Sequence, residues 1–250
     1  MVERKLEAKW SPQQISAWLA LEYPDRPEMQ VSHETIYQSL FVQSRGALRK
    51  ELHSCLRTGR AMRRAKAYTK GNVGQGQLRN MVMISERPAE VKDRAVPGHW
   101  EGDLIFGKKM TSIGTLVERH SRYVMLLKLP NGHGAEAVRK AMTKRILTLP
   151  TQLRRSITWD QGKEMAEHVE FTVETGMQIY FCDPKSPWQR GSNENTNGLL
   201  RQYLPKASDL SQCTQRELYA IARSLNTRPR QTLGWMTPSH AFAEAVALTA

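Results

Sequence analysis

Cysteine is scarce in this 250-residue chain: there are three, Cys55, Cys182 and Cys213, far apart and without a Cys-x-x-Cys pair. That excludes a readable cysteine zinc finger or disulfide framework and fits a reducing, intracellular compartment. Long apolar runs are also missing. No stretch approaches the 18 apolar residues of a membrane span. The first residues, Met-Val-Glu-Arg-Lys-Leu-Glu-Ala-Lys, carry no apolar core of signal-peptide length. Acids are in deficit, with 24 Asp and Glu against 37 Lys and Arg, a formal charge of +13 and a pI of about 9.9. This asymmetry favours a polyanionic partner, of which nucleic acid is the commonest, although ribosomal and membrane-surface proteins share it. No internal repeat is present. The 40% hydrophobic content is enough for a real core and argues against global disorder.

Along the chain, composition divides the sequence into four. Residues 1–56 read as helical. Ser11-Pro12 supplies an N-cap followed by proline at the first helical position, and Ile15, Trp18 and Leu19 form one apolar face. After a Pro-rich turn at 23–27, a second capped helix begins at Ser32 with Ile36, Tyr37 and Leu40 apolar. The pair resembles a helix-turn-helix, with 32–38, including Ser32 and Thr35, as the DNA-facing stretch; a plain helical hairpin is the alternative. Residues 57–97 read as a basic linker, because Arg57 to Arg79 holds basic residues and glycines but no acid. Such a segment is either a solvated loop or a tether along a DNA backbone. Residues 98–226 are α/β: strands at 100–106, 111–118, 123–129, 156–159 and 178–182, with helices at 135–149, 164–175 and 191–203. Three antiparallel strands followed by alternating helix and strand give a mixed five-stranded sheet flanked by helices, a ribonuclease-H-like order. Residues 227–250 form a C-terminal helical extension.

Three acids stand out by context. Asp103 lies inside an apolar strand, where an unpartnered carboxylate is costly and needs a cation or donor. Asp160 ends the fourth strand, the place where an open sheet presents residues to a ligand. Glu194 lies one turn into the helix that follows Ser186-Pro-Trp-Gln-Arg-Gly, with 33 residues between it and Asp160. Any one of them alone reads more simply as a surface acid. Together they suit Mg²⁺ or Mn²⁺, with two ions able to serve an in-line displacement at phosphorus. Around them, Lys163 is either a phosphate contact or simply an exposed lysine, and Arg190, which adjoins a helix N-terminus, either contacts DNA or serves a structural role in its loop. Arg201, seven residues beyond Glu194, falls near the same helix face and is a second candidate for DNA-backbone contact. Asn193 and Asn195 flank the acid, where they either orient it or are simply surface polar residues. His99 and His120 lack a partner at ligand spacing.

The stretches Gly98-His-Trp-Glu-Gly-Asp103, Thr158-Trp-Asp160-Gln-Gly-Lys-Glu and Phe181-Cys-Asp-Pro-Lys-Ser-Pro-Trp-Gln-Arg-Gly-Ser-Asn-Glu194-Asn-Thr-Asn-Gly resemble DDE transposases of the insertion-sequence-30 family. These enzymes share their catalytic fold with retroviral integrases. Leu225-Asn-Thr-Arg-Pro-Arg and Leu233-Gly-Trp-Met-Thr-Pro extend the likeness over nearly the whole chain. The resemblance implies that Asp103, Asp160 and Glu194 are the metal-binding catalytic triad. It also implies binding to terminal inverted repeats, hydrolysis that frees 3′-hydroxyls, and their transfer into target DNA by a homo-oligomer. A cytoplasmic, nucleoid-associated bacterial protein is expected. Family members carry a longer N-terminal region with another helix-turn-helix, so a shortened copy is expected here. Two further readings follow: a DNA-binding regulator of transposition without activity of its own, or a ribonuclease-H-like nuclease.

Overall fold

A computed structural model describes residues 1–41, 78–91 and 94–248. The end of the expected N-terminal helical segment, 42–56, and most of the basic stretch, 57–77, lie outside the described residues. The described chain divides into two units. One holds residues 1–41 with Arg228–Thr237; the other holds 78–227 and the chain from Pro238 onward.

The first unit contains α1 (Val2–Glu7), α2 (Pro12–Glu22) and α3 (His33–Phe41). Ser11 caps α2 as the sequence predicts: its hydroxyl accepts from the Gln14 amide, and the Gln14 side chain accepts in return from the Ser11 N–H. Leu6, Trp10, Ile15, Leu19, Ile36 and Leu40 close a small core. The Gln14 side chain also donates to the Pro229 carbonyl at 3.0 Å, tying residues 228–237 to this unit.

The second unit is a mixed sheet between helices. Its strands are β1 (Val82–Met83), β2 (His99–Phe106), β3 (Ser112–Glu118), β4 (Val124–Lys128), β5 (Ser156–Trp159) and β6 (Gln178–Phe181), in the order β1–β6–β5–β2–β3–β4. β2, β3 and β4 pair antiparallel, whereas β5, β6 and β1 run parallel to β2. This is the ribonuclease-H-like order, with six strands where the sequence predicts five. The added strand is two residues long and comes from within 57–97, the span read as linker.

Alternation along the strands assigns each face. Trp100, Leu104, Leu116, Met125, Leu127, Ile157 and Trp159 point one way, onto α4 (Ala135–Ile146) and α5 (His168–Thr175). Gly176, at φ 73°, ends α5 in the left-handed conformation that glycine tolerates. Ile105, Ile113, Val117, Val124 and Leu126 point the other way, onto α6 (Gly191–Leu200) and α7 (Gln215–Asn226). In α8 (Pro238–Ala247), Phe242 stacks on Tyr123, with centroids 4.2 Å apart. Among the described residues, no helix is long and apolar enough to cross a membrane.

Candidate active site

The register of the central strands builds the site. β2 and β5 run parallel, with His99 opposite Ser156, Trp100 opposite Ile157 and Glu101 opposite Thr158. Carried two residues further, that register sets Asp103, in the middle of β2, level with Asp160, just past the end of β5. By the same alternation, Glu101 and Asp103 lie on the α6 side of β2. Gly102 lies on the other side, where Trp159 crosses it: a Cβ on Gly102 would collide with the Trp159 ring. Trp159 is fully buried, and its indole N–H donates to Glu164 Oε1 at 3.1 Å.

Asp103 and Asp160 meet at one guanidinium. Arg190 Nη2 donates to Asp160 Oδ2 at 3.1 Å, and Nη1 lies 3.4 Å from Asp103 Oδ1 while donating to the Gly102 carbonyl at 2.7 Å. Asp103 is otherwise satisfied by the Leu104 N–H on Oδ1 and by the Asn197 amide on Oδ2, each at 2.8 Å. Burial pushes the Asp103 carboxyl above the usual range; the Arg190 charge opposes this shift, and the Asp160 charge adds to it. Asp160 Oδ1 is buried and accepts no hydrogen bond. Cys182, at the end of β6, is a bystander whose thiol is raised to about 11, chiefly by burial.

Helix α6 lies along β2 through a polar row that repeats every fourth residue. The Asn193 backbone N–H donates to Glu101 Oε2 at 2.9 Å, and its side-chain amide donates to the Glu101 carbonyl at 2.9 Å. The Asn193 side-chain oxygen accepts from Thr115 at 3.0 Å. Asn197 reaches Asp103, and Arg201 donates to the carbonyls of Phe106 and Leu204 at 3.0 and 3.3 Å. Beneath this row, the fully buried Glu101 pairs with Arg119, whose other nitrogen donates to the Val91 carbonyl at 3.0 Å.

The expected site residues therefore fall into distinct places. Asp103, Asp160 and Arg190 come together. Glu194 stands exposed in the first turn of α6. Among the described residues, no three His, Cys, Asp or Glu side chains gather as a metal-binding group. Lys163 is exposed on the turn Lys163–Met165 just past Asp160. Ser32 and Thr35 are exposed at the start of α3 in the other unit, where the Ser32 hydroxyl accepts from the Thr35 N–H at 3.1 Å. His99 bonds Ser156 at 2.7 Å, and burial drives its imidazole down to about 4. Asn197 is the functional candidate that sequence reasoning missed. The spacing 193–197–201 was its available signal.

The donor set fits a divalent cation. Two carboxylates stand side by side, one in the middle of β2 and one just past β5, and one of their oxygens is buried without a donor. Asp103 and Asp160 are the residues that would hold it.

Comparison with known proteins agrees with this geometry. The integrase core domain family matches residues 93–187, a span that contains both aspartates and ends before Glu194. The chain is similar to the transposase for insertion sequence element IS1086 of Cupriavidus metallidurans, at 51% identity over 99% of this chain and 72% of that protein. It is similar to the InsI transposase for element IS30C of Escherichia coli, at 48% identity over 100% of this chain and 65% of that protein. A third relative, the transposase for element IS4351 of Bacteroides fragilis, is 39% identical over 96% of this chain and 71% of that protein. The chain thus spans about two thirds to three quarters of the length of these relatives. On this likeness, joined to a sheet that sets Asp103 beside Asp160, the chain belongs to the insertion-sequence-30 family of transposases with an integrase core domain.

Proposed function

We propose that this chain catalyses metal-dependent cleavage at insertion-sequence ends and transfer of the freed 3′-hydroxyls into target DNA. Asp103, Asp160 and Glu194 are its catalytic acids. The observation that carries the reading is the meeting of Asp103 and Asp160, from adjacent parallel strands, at one buried guanidinium. Mg²⁺ or Mn²⁺, as a pair of ions, would supply activation of the attacking oxygen and stabilisation of the leaving oxygen at phosphorus. The protein's part is to hold the donors ready. The Leu104 N–H and the Asn197 amide fix the two oxygens of Asp103, and Asn193 fixes the helix turn that carries Glu194. Lys163, exposed just past Asp160, takes a phosphate near the reacting bond, and Ser32 and Thr35 face duplex DNA from α3. Arg190 and Arg201 are the remaining candidates for backbone contact. The DNA partners are terminal inverted repeats and target duplex, engaged by a homo-oligomer in a bacterial cytoplasm.

The test is cleavage and joining of duplexes carrying the flanking repeats of the element that encodes the chain, in Mg²⁺ or Mn²⁺. Joined products are expected from the wild type. Asp160→Ala should abolish both cleavage and joining while leaving duplex affinity within about threefold, because it removes a cation ligand and no phosphate contact. A variant that still cleaves at the wild-type rate would remove Asp160 from the catalytic set. Cleavage without joining would instead identify a nuclease.

A further inference from the structure

Arg190 is held in an unusual position for a residue expected to touch DNA. It ends the turn Pro187–Arg190, and that turn is braced just ahead of it. The Gln189 amide donates to Asp183 Oδ2 at 2.7 Å, while its oxygen accepts from the Asp183 N–H at 2.8 Å. The Arg190 side chain is 13% exposed and faces inward, with both terminal nitrogens engaged by Asp103, Asp160 and the Gly102 carbonyl. One positive charge thus stands between two negative ones. Without it, two carboxylates on neighbouring strands would repel and splay apart.

We infer that Arg190 is a displaceable counter-ion, whose guanidinium competes with a divalent cation for the carboxylates of Asp103 and Asp160. The inference rests on the reading of those two aspartates as cation ligands. Its physical basis is charge and geometry. A cation bound by both aspartates would lie within contact distance of a guanidinium that touches the same groups, and like charges at that distance repel strongly in a partly buried site. The side chain can leave. It is long and unbranched, and its buried Nε has no hydrogen bond to break. Arg190 is therefore a positioning residue: it keeps the two carboxylates side by side, and it weakens cation binding by the work of its own displacement.

The experiment is Mn²⁺ binding to the full chain, counted from free Mn²⁺ by electron paramagnetic resonance, for wild type, R190Q, R190M and D160N. R190Q and R190M should bind Mn²⁺ about tenfold more tightly than wild type, and D160N should lose the site. A residue with only a structural role predicts the opposite for R190Q and R190M, because a loosened site binds its cation less well. The two variants are read in parallel so that a folding failure of one, seen by circular dichroism, leaves the other decisive. Loss of binding in D160N without any gain in the Arg190 variants would overturn this inference alone. Equal Mn²⁺ binding by wild type and D160N would overturn the aspartate assignment and this inference with it.

Discussion

Gly102 shows how much of the site depends on an absent side chain. It separates Glu101 from Asp103 on β2, and its bare face lets the Trp159 ring lie across the strand. Trp159 in turn immediately precedes Asp160, so the packing at Gly102 fixes where β5 delivers that acid. The Gly102 carbonyl, on the same residue, receives Arg190. A methyl group here meets ring carbons buried on every side, and overpacking of this kind typically costs about 1–3 kcal/mol. We expect Gly102→Ala to lower the unfolding free energy, read from urea titration, by an amount in that range, and Trp159→Leu to do so separately by leaving a void. In the double variant the smaller Leu makes room for the methyl. Its loss should therefore be at least about 1 kcal/mol less than the sum of the single losses. Strictly additive losses would mean that Gly102 serves something other than the approach of Trp159.

At the scale of elements, α6 matters most, because its docking on β2 decides where Glu194 stands. Asn193 is the first rung of that contact and is fully buried, with its amide shared between the Glu101 carbonyl and Thr115. Asn193→Ala removes the side-chain bond to the buried Glu101 carbonyl and leaves Thr115 only the Asp103 carbonyl, at 3.1 Å, a loss of about 1–2 kcal/mol. Urea unfolding should show that loss, and strand joining should fall by more than the change in folded fraction explains, since the helix start is then held only by its backbone N–H on Glu101. Unchanged joining at normal folded fraction would separate α6 docking from catalysis. Much of this architecture was legible in advance. Ser156–Trp159 matches its predicted span to the residue, and the β2, β3 and β4 strands lie within a residue or so of their expected ends, because alternation and turn residues bracket them. The helix expected from 164 begins instead at His168, because Lys163–Met165 forms a separate tight turn. Val82–Met83 was illegible: two residues carry no period, and their strand exists only because β6 offers an edge. The acids drew notice from their strand context. The partnership of Arg190 with both of them did not, since it joins residues 87 and 30 positions away that only the sheet brings together.

For the whole molecule, the formal charge of +13 invites a simple picture of a basic body on DNA, but the side-chain contacts refine it. Several of the arginines are committed internally. Arg119 is tied to Glu101, Arg139 to Glu167 and Glu174, and Arg190 to the two aspartates, while Arg154 serves the Leu147 and Leu149 carbonyls. These contacts leave the net charge as it is, so the excess survives while the number of cations able to meet phosphate shrinks. What salt reports is the number of phosphates neutralised, not the net charge, because each neutralised phosphate releases counterions. If about six phosphates are contacted, affinity for a duplex should fall about 10³-fold between 50 and 200 mM KCl, with a logarithmic slope near −5. The measurement is fluorescence anisotropy of a labelled duplex in EDTA, so that divalent cations do not add to the screening. Lys163→Ala should make the slope shallower by about one if it meets a phosphate, whereas Asp160→Ala should leave it unchanged. A flat salt dependence would mean that the basic excess serves some purpose other than the DNA backbone. An unchanged slope in Lys163→Ala would confine phosphate contact to other cations of the chain.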